Sequence, residues 1–285
     1  NPKLSKRLVN PIFKTIFVLY HLQGMNYTAK QFNLHYIGHY TLIVKANYQY
    51  DKLFVINQDN QLLVYMNFES HAPSEDALKL LSLPFQNVYV SIPTHNLTFV
   101  PNDLFQEFDM EKYQEFMENP SQATKISSID FLEIQALFQF DVLLYHRWNT
   151  LFPEAKFIPE FKLNLLQARP FIPLKGDMLG VVFDDNSTDI YLFINGQFKF
   201  YNTFEIASVD DLSYFILNVF ETFGIRNKVY KILFSGTNIE ESYIQKLRSL
   251  STEVTEITAS RPAISLEEES KRYTSHYLLD LPTCE

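Results

Sequence analysis

The sequence predicts an α/β protein in which a βββαβα unit occurs twice, giving two lobes with mixed sheets. Hairpin turns at Asn60 and Asn195 lie 135 residues apart, and helix starts at Ser74 and Ser208 lie 134 residues apart. Strands and helices follow one another in the same order in both halves. A recurring order at a fixed spacing is typical of a duplicated topology, so we expect two related lobes.

The second copy begins with three strands. The apolar strand Met178 to Phe183 ends at a polar turn, and a strand from Ile190 to Ile194 follows it. Asn195-Gly196 separates this strand from a third one, Gln197 to Tyr201, and an Asn-Gly pair between two β-rich runs is a strong hairpin signal. We therefore predict three antiparallel strands.

A helix, a strand and a second helix complete this copy. Ser208 is placed to cap the first helix, and Gly224 stands where a left-handed residue ends it. The apolar residues of this helix fall on one face at helical spacing: Leu212, Phe215, Ile216, Val219 and Phe223. The apolar run Tyr230 to Phe234 predicts a buried strand, and Asn238 is predicted to cap the second helix.

The first copy follows the same plan. Strands are predicted at Phe32 to Lys45, Lys52 to Ile56 and Gln61 to Phe68, followed by a helix from Ser74 and a strand from Val88 to Ile92. The region between the copies has these predicted elements in order: strand Thr98 to Leu104, helix Met110 to Glu118, strand Ile129 to Phe140, a helix capped by Asp141, strand Lys156 to Ile158 and helix Phe161 to Ala168.

These elements divide the chain into four predicted parts. They are an N-terminal extension at residues 1–31, a first lobe with connecting elements at 32–172, a second lobe at 173–260 and a C-terminal tail at 261–285. The tail beyond Ile257 is acidic, and we expect it to be peripheral and frayed. The sequence leaves open whether residues 1–24 belong to the native chain, because Met25 directly precedes the first clear strand.

Composition limits the classes of partner. A net charge of −9 argues against nucleic acid, because phosphate binding depends on clustered lysine and arginine. The single cysteine, Cys284, can form no disulfide within the chain, which favours a reducing compartment, and we expect a cytoplasmic protein. The first fifty residues contain six basic residues and no acidic one, so contact with a membrane surface stays an alternative to a solvated face.

Catalytic and metal-binding patterns are weak. His35 and His39 are four residues apart, and on a strand this spacing covers about 13 Å, too far for one zinc ion. His146 has no nucleophile near it in the sequence, and no phosphate-binding or esterase motif occurs. We therefore predict no catalytic residue, no metal site and a protein as the partner.

A hydrophobic motif resembles a known family. The run Phe99-Val100-Pro101-Asn102-Asp103-Leu104-Phe105, followed by Tyr113, Phe193 to Phe204 and Asp211 to Phe223, resembles a domain of unknown function found in bacteroidete bacteria. The resemblance extends from about Phe32 to Ile257 and implies an actin-like ATPase (ribonuclease H-like) fold. It also implies a cytoplasmic bacterial protein that is distantly similar to pilus-assembly and cell-division members of that superfamily.

The resemblance also implies where a nucleotide cleft is expected. Members of the superfamily hold phosphate with an Asp-x-Gly hairpin, but the first copy has Lys45-Ala46-Asn47 there, and the second has Asn186 in place of the glycine after Asp184. Only seven glycines occur, where about twenty are usual for this length. The vestigial cleft is predicted to comprise Asp184, Asp185, Ser187, Ser235, Gly236 and Thr237.

Two functional hypotheses of different classes follow. The first is a non-catalytic binding or scaffold protein with degenerate nucleotide loops and no cofactor. The alternative is a nucleotide-binding ATPase with an unusual loop around Asp184 and Ser235, which takes ATP with Mg²⁺. The sequence favours the first because loops that enclose phosphates need several glycines. It does not determine the oligomeric state.

Overall fold

The computed structural model describes residues 26–106, 110–115, 117, 122–184, 187–236, 239–259 and 277–284. The first half contains β1 (Tyr27–Thr28), β2 (Thr41–Lys45), β3 (Tyr50–Ile56), β4 (Leu62–Glu69), α1 (Glu75–Leu81), β5 (Asn87–Ile92), β6 (Thr94–Pro101), α2 (Met110–Glu115), β7 (Lys125–Ile129), β8 (Ile134–Phe140), α3 (Val142–Leu151), β9 (Lys156–Pro159) and α4 (Glu160–Ala168). The second half contains β10 (Asp177–Phe183), β11 (Thr188–Ile194), β12 (Gln197–Phe204), α5 (Val209–Phe223), β13 (Val229–Gly236), α6 (Glu241–Leu250), β14 (Ser251–Glu256) and a final 3-10 helix (Tyr277–Cys284).

Two sheets share one topology. The first sheet has the strand order β1-β4-β3-β2-β5-β9, and the second has β12-β11-β10-β13-β14. The three strands that begin each copy are antiparallel, and the central strand of each copy, β2 or β10, pairs in parallel with the next strand, β5 or β13. These matching orders agree with the predicted βββαβα duplication. Residues 27 and 28, which sequence analysis placed in an N-terminal extension, add a sixth strand to the first sheet.

A third, smaller sheet is inserted in the first half between β5 and α3. Its strand order is β6-β8-β7. The end of β7 and the whole of β8 occupy the region where a single strand was predicted, from Ile129 to Phe140. That prediction was wrong because a 3-10 turn at Asp130–Leu132 interrupts the run, and Glu133 follows it with a left-handed φ of 55°. The turn residues Phe131 and Leu132 pack against the core, so an apolar run conceals a hairpin.

The predicted strand at Phe32 to Lys45 is also only half correct. Leu34–His39 forms a 3-10 helix, which Asn33 caps by accepting a hydrogen bond of 3.0 Å from the amide of His35. The strand proper begins at Thr41. His35 and His39 are therefore exposed helix residues, and no cluster of histidine, cysteine and acidic side chains in the described chain could hold a metal.

The second lobe follows its local sequence signals. Asn195 and Gly196 both have positive φ values, 51° and 80°, as the predicted hairpin turn requires. The hydroxyl of Ser208 accepts a hydrogen bond of 3.1 Å from the amide of Asp211, and Gly224 ends α5 with a φ of 69°. The predicted helix cap Asn238 lies outside the described residues. None of the helices described here has the length and apolar character needed to cross a bilayer.

The C-terminal segment is part of the core, contrary to the prediction of a peripheral tail. Tyr277, Leu278, Leu281 and Cys284 are buried, and the segment packs against α4, β2 and β5. Burial raises the pKa of the Cys284 thiol to about 12, which removes its reactivity at neutral pH. The leucines of this segment are buried because the chain returns to the first sheet. Local sequence patterns do not predict such a return.

One hydrophobic cluster contains residues of both lobes, and a second cluster lies within the second lobe. Phe161 of α4 contacts the rings of Phe99 and Phe138 from the inserted sheet, with centroid distances of 5.8 and 5.1 Å. The ring of Phe99 also lies 5.0 Å from that of Phe198 in the second lobe. Because burial of a large apolar side chain contributes about 1.5 to 3 kcal/mol, this aromatic contact opposes separation of the lobes.

Gly180 provides a test of the packing inside the second sheet. A Cβ atom at this position would lie 1.8 Å from the ring of Tyr191, which is fully buried on the neighbouring strand. We expect Gly180→Ala to lower the free energy of unfolding by about 1 to 3 kcal/mol, because the buried ring would have to shift to make room for the added methyl group. Thermal and urea unfolding measure this change.

Gly38→Ala is the matched control, because nothing lies within 4 Å of a Cβ atom there. Its free energy of unfolding should stay within about 0.5 kcal/mol of the wild-type value. Equal stability of the two variants would contradict the packing described for Tyr191.

Candidate functional site

The central strands of the two lobes end at the same place in the molecule. In the second lobe, Phe183 pairs with Gly236 and Val182 pairs with Ser235, so the carboxyl ends of β10 and β13 lie side by side. Asp184 follows directly, and its amide donates a hydrogen bond of 2.8 Å to the carbonyl oxygen of Ser187. The structure thus places four of the predicted cleft residues at one edge. Asp185 and Thr237 lie outside the described residues.

Lys45 faces this edge from the first lobe. It is the last residue of β2, it is 2% exposed, and its Nζ lies 2.9 Å from Oδ1 of Asp184. The same Nζ lies 3.5 Å from Oε2 of Glu160, the first residue of α4. It also donates a hydrogen bond of 3.3 Å to the hydroxyl of Tyr277. One ammonium group therefore joins four elements at the junction between the lobes.

The charges at this junction are strongly coupled. Burial alone lowers the pKa of Lys45, but the negative charges of Asp184 and then Glu160 outweigh it and hold that pKa well above its usual value. Burial raises the pKa of Glu160 to about 7, although Lys45 acts to lower it. Oε1 of Glu160 is buried and has no hydrogen-bond partner among the described residues. Lys45 is thus charged at neutral pH, while Glu160 titrates there.

A third carboxylate lies behind Glu160. Asp189 accepts hydrogen bonds of 2.6 Å from the hydroxyls of Tyr201 and Thr203, and one of 3.0 Å from the side-chain amide of Asn164. Burial raises the pKa of Asp189, and these hydrogen bonds act to lower it. Among the described residues, Asp184, Glu160 and Asp189 give the junction three acidic groups beside the ammonium of Lys45.

In the turn after β2, the loop amides that could hold a phosphate are already bonded within the chain. The amide of Ala46 donates to the carbonyl oxygen of Ser91 at 2.9 Å, and that of Asn47 donates to Oδ1 of Asp51 at 3.0 Å. The amide of Tyr48 donates to Oδ1 of Asn47 at 2.6 Å. Anion-binding loops need several unpaired amides directed at the ligand, so this turn does not fit a bound phosphate.

Asp51 fixes this turn from behind. Its carboxylate is buried and accepts hydrogen bonds of 2.8 and 2.9 Å from Nη2 of Arg147 in α3. Burial raises the pKa of Asp51 despite the opposing effect of Arg147. The partly exposed Arg147 and the amide of Asn47 both bind the Asp51 carboxylate, so Asp51 links the turn between β2 and β3 to α3.

The glycine retained at the end of β13 has a packing role. Gly236 has a φ of 133°, which favours glycine. A Cβ atom there would lie 2.2 Å from the carbonyl oxygen of Phe183 on the neighbouring strand. The close approach of two strand ends therefore explains this residue without a bound nucleotide.

The centre of the site was not predicted from the sequence. Lys45 was considered there as a position that lacks the expected aspartate, although a lysine that follows three apolar residues at the end of a strand indicates a buried charge. Glu160 and Tyr277 carried no signal, because only the folded chain brings them to Lys45.

A family comparison agrees with the suspected resemblance. The family described as "Protein of unknown function (DUF3822)" matches residues 29–251. The chain belongs to this family. No curated protein is significantly similar to this DUF3822 member.

Solved structures agree with the fold. A protein from Bacteroides thetaiotaomicron with an actin-like ATPase fold and unknown function is 18% identical, with a TM-score of 0.66, and the match covers 90% of this chain and 100% of the other. A chain of the PilM-PilN type IV pilus biogenesis complex is 11% identical, with a TM-score of 0.54 and coverage of 86% and 97%. The DUF3822 protein therefore has the actin-like ATPase fold.

Replacement of Lys45 tests the importance of the junction. Lys45→Met removes the ammonium that pairs with the buried carboxylates of Asp184 and Glu160, so we expect the free energy of unfolding to fall by about 3 to 5 kcal/mol. Urea unfolding followed by circular dichroism measures the loss. Arg248→Met is the control, because its ion pair with Glu241 is exposed and should contribute less than about 1 kcal/mol. Similar losses in both variants would show that the junction has no special role.

The raised pKa of Glu160 predicts a dependence of stability on pH. The folded chain, where the pKa is about 7, binds this proton more tightly than the unfolded chain, where it is about 4.5. Wild-type stability should therefore fall as pH rises from about 4.5 to 7, by roughly 3 kcal/mol from this group, and then stay level.

Glu160→Gln removes this titration, so the variant should gain stability relative to the wild type across the same pH window. Urea midpoints measured between about pH 5 and 8 test the difference. Glu241→Gln, at an exposed position, should show no such trend. A constant difference between wild type and Glu160→Gln would disprove the assignment.

Proposed function

We propose that this DUF3822 protein is a non-catalytic, cytoplasmic protein-binding scaffold whose interlobe cleft binds no nucleotide. The observation that carries the proposal is the buried Lys45, which is paired with Asp184 and Glu160 where the strand ends of the two lobes meet. The group that could have neutralised a phosphate is already neutralised by the chain.

Electrostatics support this proposal. A triphosphate in the cleft would lie beside the carboxylates of Asp184, Glu160 and Asp189, and like charges in a poorly solvated site repel strongly. Mg²⁺ could offset part of this repulsion. The amides of Ala46 and Asn47 would still have to break their present hydrogen bonds before they could contact the ligand.

The packing between the lobes supports it as well. The side chain of Tyr277 is buried beside Lys45, and the aromatic contact of Phe99 with Phe161 and Phe198 joins the lobes behind it. Opening the cleft for a nucleotide would expose this apolar surface to water at a cost of several kcal/mol. A rigid body of this kind suits a binding role better than a catalytic cycle of opening and closing.

Two further observations favour a protein as the partner. A chain of similar fold occurs in the solved complex of PilM with PilN, so this fold supports protein binding in at least one other case. The net charge of −9 disfavours nucleic acid as the ligand.

A second candidate function is nucleotide binding with ATPase activity. It is favoured by the position of Asp184 beside Ser235 and Gly236, where the carboxyl ends of parallel strands meet. Ligands of open α/β sheets commonly bind at such ends. Because Asp184 is paired with Lys45, this function is the less favoured of the two.

Calorimetric titration with ATP and Mg²⁺ separates the two candidates. We expect no binding heat at millimolar nucleotide and no phosphate release in a coupled assay. Binding and hydrolysis that disappear in Asp184→Ala, and persist in Asp177→Ala at the opposite end of the same strand, would establish the second candidate. The chain should also be titrated with ADP, because a product site alone would contradict the proposal.

A further inference from the structure

A second groove lies between the edges of two sheets. β7 is the last strand of the inserted sheet, and β9 is the last strand of the first sheet. Both strands line a pocket of about 210 Å³, which we call the edge groove. Its wall residues are Lys125, Phe138, Phe140, Tyr145, Phe157 and Lys162.

The wall of the edge groove is aromatic. The ring of Tyr145 stacks on that of Phe140 with a centroid distance of 5.7 Å, and it lies 4.7 Å from the ring of Phe157. Ile126, on β7, is 40% exposed and extends the apolar surface along the strand. Phe138 and Phe140 are buried, and Tyr145 and Phe157 are partly exposed, so these two rings are the ones that apolar side chains of a partner can contact.

The rim of the edge groove is positively charged. Lys125 is exposed, with its Nζ 5.4 Å from the centre of the Tyr145 ring, and Lys162 is half-buried on α4. Neither lysine forms a salt bridge with a carboxylate in the part of the chain that the structure describes. Two such lysines in a chain of net charge −9 make a local site for acidic groups.

The edge of β7 determines the conformation of the ligand. Of the strands described, only β8 pairs with β7, so within the described residues the other side of this five-residue strand has unpaired backbone donors and acceptors. An extended peptide can bind such an edge as an additional strand. Five residues span about 17 Å at 3.4 Å each, enough for two or three side chains to face the groove.

We propose that the edge groove binds an extended acidic segment of a partner protein. The segment adds a strand to β7, places apolar side chains against Tyr145 and Phe157, and places carboxylates near Lys125 and Lys162. This inference rests on the proposed scaffold function, because it identifies the kind of protein segment that the scaffold holds.

Two synthetic peptides test the chemistry of the segment. The first is a fluorescein-labelled heptapeptide of sequence Glu-Thr-Val-Thr-Glu-Thr-Val, whose glutamates and valines share one face of a strand, and the second has lysine in place of each glutamate. We expect the acidic peptide to bind the full chain, measured by fluorescence anisotropy, and the basic peptide not to bind. The double variant Lys125→Glu/Lys162→Glu should weaken the acidic peptide by about tenfold or more.

The matched control reverses two exposed lysines of the second lobe, Lys199→Glu/Lys228→Glu, which changes the net charge by the same amount. It should leave the affinity unchanged. Equal weakening by both double variants would show that attraction depends only on overall charge and would overturn the proposal. Lys125→Ala/Lys162→Ala, checked for folding by circular dichroism, should weaken binding less than charge reversal does.

Amide hydrogen exchange tests the added strand. The acidic peptide should slow exchange in residues 125–129 and leave β12, an edge strand of the second lobe, unaffected. Absence of binding at millimolar peptide, or binding without protection of β7, would overturn the inference. An ATP titration of the same sample tests the proposed function separately. A chain that binds neither the peptide nor ATP contradicts this inference but not the proposal that the cleft binds no nucleotide.

Discussion

The pairing of the Lys45 ammonium with Asp184 and Glu160 is the constraint on which the arrangement of the molecule depends. A buried ammonium without carboxylate partners costs several kcal/mol, so the ends of β2 and β10 and the start of α4 must stay together. Tyr277 extends the same constraint to the C-terminal helix, through its hydroxyl. One charged group thus joins the strand ends of both lobes to α4 and to the C-terminal 3-10 helix.

In this fold the strand ends can form a ligand site, or they can be occupied by side chains of the protein itself. A phosphate site needs amides directed into open space, glycines that let the ligand approach and a net positive field. In this chain the amides of Ala46 and Asn47 are bonded internally, Gly236 serves strand packing, and among the described residues three carboxylates surround the ammonium of Lys45. A partly exposed aromatic surface with a basic rim lies instead at the edge groove. The fold is therefore that of an ATPase family, whereas the distribution of charge favours recognition of a protein.

The sequence predicts the structure correctly where neighbouring residues determine the backbone conformation. Asn195-Gly196 forms its hairpin and Ser208 caps α5, because each depends on residues within a few positions. The strands predicted at Phe32 to Lys45 and at Ile129 to Phe140 were only partly correct, because some of their apolar residues lie in 3-10 turns that tertiary packing stabilises. The C-terminal segment was predicted to be peripheral, since no residue near Tyr277 indicates that the segment returns to the first sheet.

The sequence alone determined the two related lobes, the order of their elements and the lack of glycines at the expected phosphate loops. These features follow from periodicity, turn chemistry and composition, which act over short distances along the chain. Only the tertiary structure decided that Lys45, Glu160, Asp184 and Tyr277 form one buried cluster. These residues are up to 232 positions apart, and a buried charge selects its partners by distance in space, which no local pattern records.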